Sequence, residues 1–303
     1  MVLRPLLGTL AVALLKILGR LPLWIPLALG NVLLPFYAPF RRRTRMRFSR
    51  LRDGQGRTAV RPYPRVDPTL YYRMRLRLTL LSLKHLLGRP DGCALQVEGR
   101  EHFLAAVKSR KPVVVLGWHQ GPVELLHQVP QADARIAEPS GTRPFFLMTA
   151  RAFAPALTRL MKGGRAGERK EILHPGSLAG LKRWEQGKGI LALMTDQVPG
   201  KPEEWLAPLD GSVQVPFPGR LLDWIAERDA AFLIVSVRLE KRNRIVFRYA
   251  PTESRLLRDD MAFHLDNGLR AAPEQYNWSY PKIRFSTREL QSVFPDPGQA
   301  PLS

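Results

Sequence analysis

His119, in the segment KPVVVLGWHQGPVELLHQ at residues 111–128, stands where a histidine could work as a base. It follows an apolar, strand-like run at 113–116. Glu124 comes five positions later, in what reads as the first turn of a helix with Pro122 at a tolerated first-turn position. A basic imidazole needs one nitrogen free and the other held by an acceptor. A carboxylate in that place would fix the tautomer and stabilise the imidazolium formed in the transition state. No serine or cysteine stands beside the pair as a nucleophile. The combination therefore suggests a histidine that takes a proton from an incoming hydroxyl, so that the substrate itself attacks. The spacing alone recurs by chance, and a satisfied surface histidine is the competing reading.

Other chemistry-bearing residues are fewer. Asp196 opens DQVPGK after a second apolar strand-like run. It reads either as a binder of substrate polar groups, together with Gln197, or as a turn-forming Asp before Pro-Gly. Arg165 and Arg169 lie among glycines in KGGRAGERKEIL, where guanidinium groups could grip phosphate oxygens in bidentate fashion or simply carry surface charge. His127 matches no common zinc spacing with His119 and reads as structural. No metal site is expected. Neither GxxxxGK[ST] nor GxGxxG occurs, so no nucleotide or nicotinamide cofactor is expected either.

These residues need elements to position them. Residues 70–87 read as a helix stopping at Gly88. Strand-like runs follow at 112–117, 145–149, 190–195, 232–237 and 245–249, and helical ones at 122–128, 154–161, 176–186 and 221–228. Continuous apolar strands alternating with helices indicate an α/β fold with a mostly buried sheet flanked by helices. Ligands of open α/β sheets bind at the carboxyl ends of the strands. His119 and Asp196 both fall at such ends and could meet at one rim.

Composition narrows the setting. The single cysteine, Cys93, excludes an intrachain disulfide and a cysteine-based metal site, and fits a reducing compartment. Lys and Arg total 47 against 26 Asp and Glu, a formal excess of +21, which selects acidic partners: nucleic acid, anionic lipid headgroups or an acidic protein. Residues 1–40 are almost wholly apolar, and the charge-free run 21–40 is just long enough to cross a bilayer. Its four prolines, Pro22, Pro26, Pro35 and Pro39, argue against one straight spanning helix. Nine arginines then fall between Arg41 and Arg61. An apolar segment followed directly by a basic cluster reads as membrane-associating helices, kinked across or lying in the interface, with the arginines on anionic lipid at the cytoplasmic face. A buried core hairpin is the alternative for the apolar segment. Nucleic acid would come first for the arginines without their apolar neighbour, and is not expected with it. The division is thus 1–45 as membrane anchor and 46–303 as the catalytic domain.

In combination, these segments resemble the lipid A biosynthesis lauroyl and myristoyl acyltransferases, within the wider H-x4-D/E glycerolipid acyltransferases. The resemblance covers most of the chain. RLPLWIPLALG with the arginine cluster is similar to the family's membrane start, WHQGPVE to its catalytic block, and GGRAGERKEIL to its Arg-containing block. GILALMTDQVPG resembles its Asp-centred block, VQVPFPGR its Phe-Gly block, and LDNGLRAAPEQYNWSYPKIR its C-terminal segment. This chain departs from the family at Gln120-Gly121-Pro122-Val123, usually Phe-Gly-Asn-Trp. It also departs at Pro218, where a second Phe is typical, and after Trp278, where a His-Arg-Arg-like run is usual. The resemblance implies a glycerolipid-acyltransferase-like domain on the cytoplasmic face of a bacterial inner membrane. Such an enzyme moves an acyl group from a thioester, carried by acyl carrier protein or coenzyme A, to a hydroxyl of a lipid A precursor or related glycolipid. His119 is then the base, Glu124 its orienter, and Arg165 a contact for a phosphate of donor or acceptor. The oxyanion would be met by backbone N–H groups near Gly121 or by a basic side chain.

Overall fold

The computed structural model describes residues 17–18, 20–37, 68–87, 93–127, 129–130, 133, 143–148, 170–173, 177–198, 202, 204–208, 213–278 and 283–285. Arg165, Arg169, the helix expected at 154–161, the arginine cluster and the domain boundary near residue 45 lie outside them.

The described strands, in chain order, are β1 (Ala94–Glu98), β2 (Val113–Gly117), β3 (Phe145–Met148), β4 (Lys170–Leu173), β5 (Ile190–Met194), β6 (Glu204–Leu206), β7 (Val213–Phe217), β8 (Ala231–Glu240), β9 (Arg244–Thr252) and β10 (Arg284–Phe285). The helices are α1 (Trp24–Tyr37), α2 (Pro68–Leu86), α3 (Arg100–Lys108), α4 (Leu178–Gln186), α5 (Gly219–Ala226) and α6 (Leu257–Ala271). Seven strands form one sheet in the order β1-β9-β8-β2-β5-β3-β4. The pairs β8–β2, β2–β5, β5–β3 and β3–β4 are parallel, and the β8–β9 hairpin is antiparallel. A smaller antiparallel sheet runs β10-β7-β6.

The apolar runs are continuous because the large sheet is covered on both faces. Alternate residues of one strand enter opposite cores. Val114, Leu116, Leu191, Leu193 and Ile234 pack with Trp184 of α4, Ile225 of α5 and Met261 and Leu265 of α6. Val113, Val115, Ile190, Ala192 and Val235 pack with Leu78 and Leu81 of α2 and Phe103 and Val107 of α3. The expected α/β class with a mostly buried sheet flanked by helices is the one observed, and most of the sheet's pairs are parallel.

Several elements differ from expectation, two of them beside the histidine. The helix expected at 122–128 is a five-residue 3-10 turn, Val123–His127. Its first described bond runs from Leu125 N–H to the Pro122 carbonyl at 3.1 Å, an i→i+3 closure. The strand expected at 232–237 extends to Glu240, because a tight turn at Lys241–Asn243 returns β9 along its whole length.

No described helix is long and apolar enough to cross a membrane. α1 has 14 residues, about 21 Å at 1.5 Å per residue, against roughly 30 Å of hydrocarbon. It lies on α2, with Gly30 against Leu76 so closely that any β-carbon there would overlap the leucine. Its other face leaves Trp24 69%, Leu29 53% and Val32 68% exposed.

Candidate active site

β2 and β5 are parallel neighbours, so Gly117 pairs with Met194 and both chains leave the sheet at the same end. Thr195 fastens the two exits, donating to the Gly117 carbonyl from its backbone N–H (2.8 Å) and from its hydroxyl (3.1 Å). His119 and Asp196 therefore meet. Asp196 Oδ1 lies 2.7 Å from His119 Nδ1, and Asp196 Oδ2 accepts the His119 backbone N–H at 3.0 Å. The carboxylate is 2% exposed and the imidazole 18%. One buried carboxylate thus grips both the ring and the main chain of the histidine. An Nδ1–H donating to Asp196 leaves Nε2 with its lone pair, and no described residue hydrogen-bonds Nε2.

Glu124, expected to orient His119, makes no hydrogen bond to it. Its carboxylate accepts the Ser82 hydroxyl of α2 at 2.9 Å. The tight 3-10 turn sets this, because it presents the side chain to α2, which packs beside it. Glu124→Gln is accordingly expected to reduce turnover by less than about tenfold, the carboxamide oxygen still accepting from Ser82. Steady-state kinetics of the purified variant check this; a loss as large as that from His119→Ala would return Glu124 to the reaction itself.

Gln197 is half-buried beside Asp196, and no described residue hydrogen-bonds its amide. His127 belongs to the 3-10 turn. No described group of His, Cys, Asp and Glu could hold a metal ion.

The sequence reading missed the residues that hold the turn. Gln120 is fully buried and saturated: its carbonyl oxygen accepts Trp118 Nε1–H (2.9 Å), and its amide donates to the carbonyls of Gly268 (2.6 Å) and Ala272 (3.0 Å) at the end of α6. Gln275 exchanges two hydrogen bonds with the Leu239 backbone of β8, at 2.8 and 2.7 Å. Asn277 N–H donates to the His119 carbonyl at 2.8 Å. The segment PEQYNW is therefore the scaffold of the histidine turn. Two buried glutamines in apolar surroundings were the available signal, since buried amides must find partners.

Gly121 has φ +67°, a left-handed conformation that favours glycine, and a β-carbon there would overlap the Val237 carbonyl of β8. Its N–H, expected among the oxyanion donors, instead donates to the Gln275 carbonyl at 3.2 Å. Gly121→Ala is expected to destabilise the fold by about 2 kcal/mol or more, from left-handed strain plus the overlap. A denaturant midpoint unchanged from the parent protein would contradict this.

The lone cysteine is no part of the site. Cys93 precedes β1, three strands from β2, or roughly 14 Å at about 4.8 Å per strand. Burial pushes its thiol up to about 11, and its Sγ lies 2.9 Å from the Asn243 carbonyl. A protonated thiol at that distance offers no covalent route.

The fold and site define a class: an α/β protein with a carboxylate-held histidine at the carboxyl rim of its parallel strands. No protein-family model matches this chain, and no curated protein matches it.

Proposed function

We propose that this protein is an O-acyltransferase that moves a fatty acyl group from a thioester, on acyl carrier protein, to a hydroxyl of a lipid A precursor or related glycolipid. The observation that carries the reading is the His119–Asp196 pair, in which no described residue hydrogen-bonds Nε2 and no described nucleophilic side chain is bonded to the histidine. A base without a protein nucleophile suits direct attack by a substrate hydroxyl. The blocks WHQGPVE and LMTDQVPG, through which the chain resembles lipid A acyltransferases, are the two that meet in this pair.

The mechanism uses groups already placed. Nε2 of His119 takes the hydroxyl proton as the oxygen attacks the thioester carbonyl carbon. Asp196 holds Nδ1–H and stabilises the imidazolium that forms. The tetrahedral intermediate collapses, the carbon–sulfur bond breaks, and the imidazolium returns its proton to the departing thiolate. The products are an ester and a free thiol. No metal or cofactor takes part in these steps. The +21 excess favours approach of an acidic carrier protein and of anionic lipid. Arg165 and Arg169 remain the proposed phosphate contacts.

The exposed apolar face of α1 supports a seat in the interface at the cytoplasmic face of a bacterial inner membrane. Joint substitution of Trp24, Leu29 and Val32 by Asp is expected to shift the protein from membrane to soluble fractions at 1 M salt, where the Debye length of about 3 Å silences the arginines. An unchanged distribution would contradict an interfacial α1.

The direct test combines purified protein, acyl carrier protein charged with lauroyl or myristoyl chains, and a lipid A precursor in mixed micelles. The expected product is the acceptor heavier by one acyl chain, with one thiol released per ester formed. Thiol release without acylated lipid would make the protein a thioesterase.

A further inference from the structure

A recess opens on the same rim. It is a cleft of about 610 Å³ lined by Met74 and Arg77 of α2, the β8–β9 turn and the segment Ala271 to Gln275. β8 runs parallel to β2, so its end at Glu240 points the same way as the end that delivers His119. The wall between them is Gln275. Its side chain holds Leu239 on the cleft side, its carbonyl accepts Gly121 N–H, and two residues on Asn277 holds the His119 carbonyl.

The lining is cationic. Arg77, Arg238, Lys241 and Arg244 stand against Glu240 and Glu274. Glu240 is shared between two arginines, at 2.6 Å from Arg244 and 3.8 Å from Arg238. Arg77 is bound by a neutral group: its Nε donates to Asn243 Oδ1 at 3.1 Å, and its Nη2 donates to the same oxygen. That bond fixes Asn243, which has φ +56° at the tip of the β8–β9 turn. Lys241 makes no ion pair with a described residue. The turn and α2 thus hold more positive charge around a cleft than its own carboxylates neutralise.

From this we infer a phosphate-ester subsite in the cleft, with Arg238 and Lys241 as its principal ligands and Arg77 and Arg244 supporting them. Guanidinium and ammonium groups converging on a recess match the oxygens of a phosphate ester, which keeps its charge at neutral pH. The assignment of an owner rests on the acyltransferase reading. A phosphate beside the histidine rim belongs either to the prosthetic arm of the acyl donor or to the sugar headgroup of the acceptor, and the chemistry recognised is the same.

The test is calorimetric titration of the full chain in detergent at fixed ionic strength. The probes are 4′-phosphopantetheine for the donor arm and glucosamine 1-phosphate for the headgroup, each against its dephosphorylated form. The expected result is that one phosphate binds at least tenfold more tightly than its dephosphorylated partner. Arg238→Gln with Lys241→Gln removes that difference, and Lys241→Gln alone, on an exposed turn, weakens it at least threefold. Whichever probe behaves so names the owner. His119→Ala should leave binding intact, which separates this subsite from the catalytic reading. Binding that ignores the phosphate, or that both variants retain in full, overturns the subsite even if acyl transfer is demonstrated.

Discussion

Asp196→Asn is expected to lower kcat by about 10²- to 10⁴-fold with KM little changed, the range seen when the carboxylate partner of a catalytic histidine is made an amide. The geometry gives the reason. Asp196 accepts two bonds, one from the His119 backbone N–H and one from Nδ1. The backbone donor cannot change its character, so the carboxamide must turn its oxygen there and its NH2 towards Nδ1. The ring then accepts at Nδ1 and carries its proton on Nε2, where it can no longer take one from a hydroxyl. Circular dichroism should show an intact fold, because both hydrogen bonds survive in the variant. Turnover within a few fold of the parent protein would remove Asp196 from the reaction and leave it as a turn-former.

His119→Ala is expected to cost about 10² or more in kcat, the usual scale for loss of a general base. The informative comparison is with the double substitution of His119 and Asp196. If Asp196 acts only through the imidazole, the double variant turns over no more slowly than His119→Ala alone, because residues acting as a unit are not additive. A further loss in the double variant would give Asp196 its own contact with the substrate. The fold should tolerate the histidine change. The turn is held by the Gln120, Gln275 and Asn277 bonds, none of which uses the imidazole.

Much of this architecture was legible in the chain. Runs such as VVVL and ILALM are apolar at every position, which marks strands covered on both faces, and strand ends at GWH and MTD placed two polar residues at one rim. The strand order was not legible. Periodicity says nothing about which strands are neighbours, and the β2–β5 pairing is what makes Asp196, rather than Glu124, the partner of His119. Sequence proximity favoured Glu124, but a 3-10 turn after a left-handed glycine sends that side chain towards Ser82. The Gln120 and Gln275 clamp was equally hidden, because its partners, Trp118 apart, lie more than 30 residues away in the chain.

The claim that His119 catalyses acyl transfer to a membrane glycolipid is tested most directly by lipid mass spectrometry of a strain lacking this protein. The strain is complemented in parallel with the parent chain and with His119→Ala. The expected profile is a glycolipid short of one ester-linked acyl chain, restored by the parent chain and not by the variant. A profile unchanged by the deletion, or restored equally by His119→Ala, would contradict it.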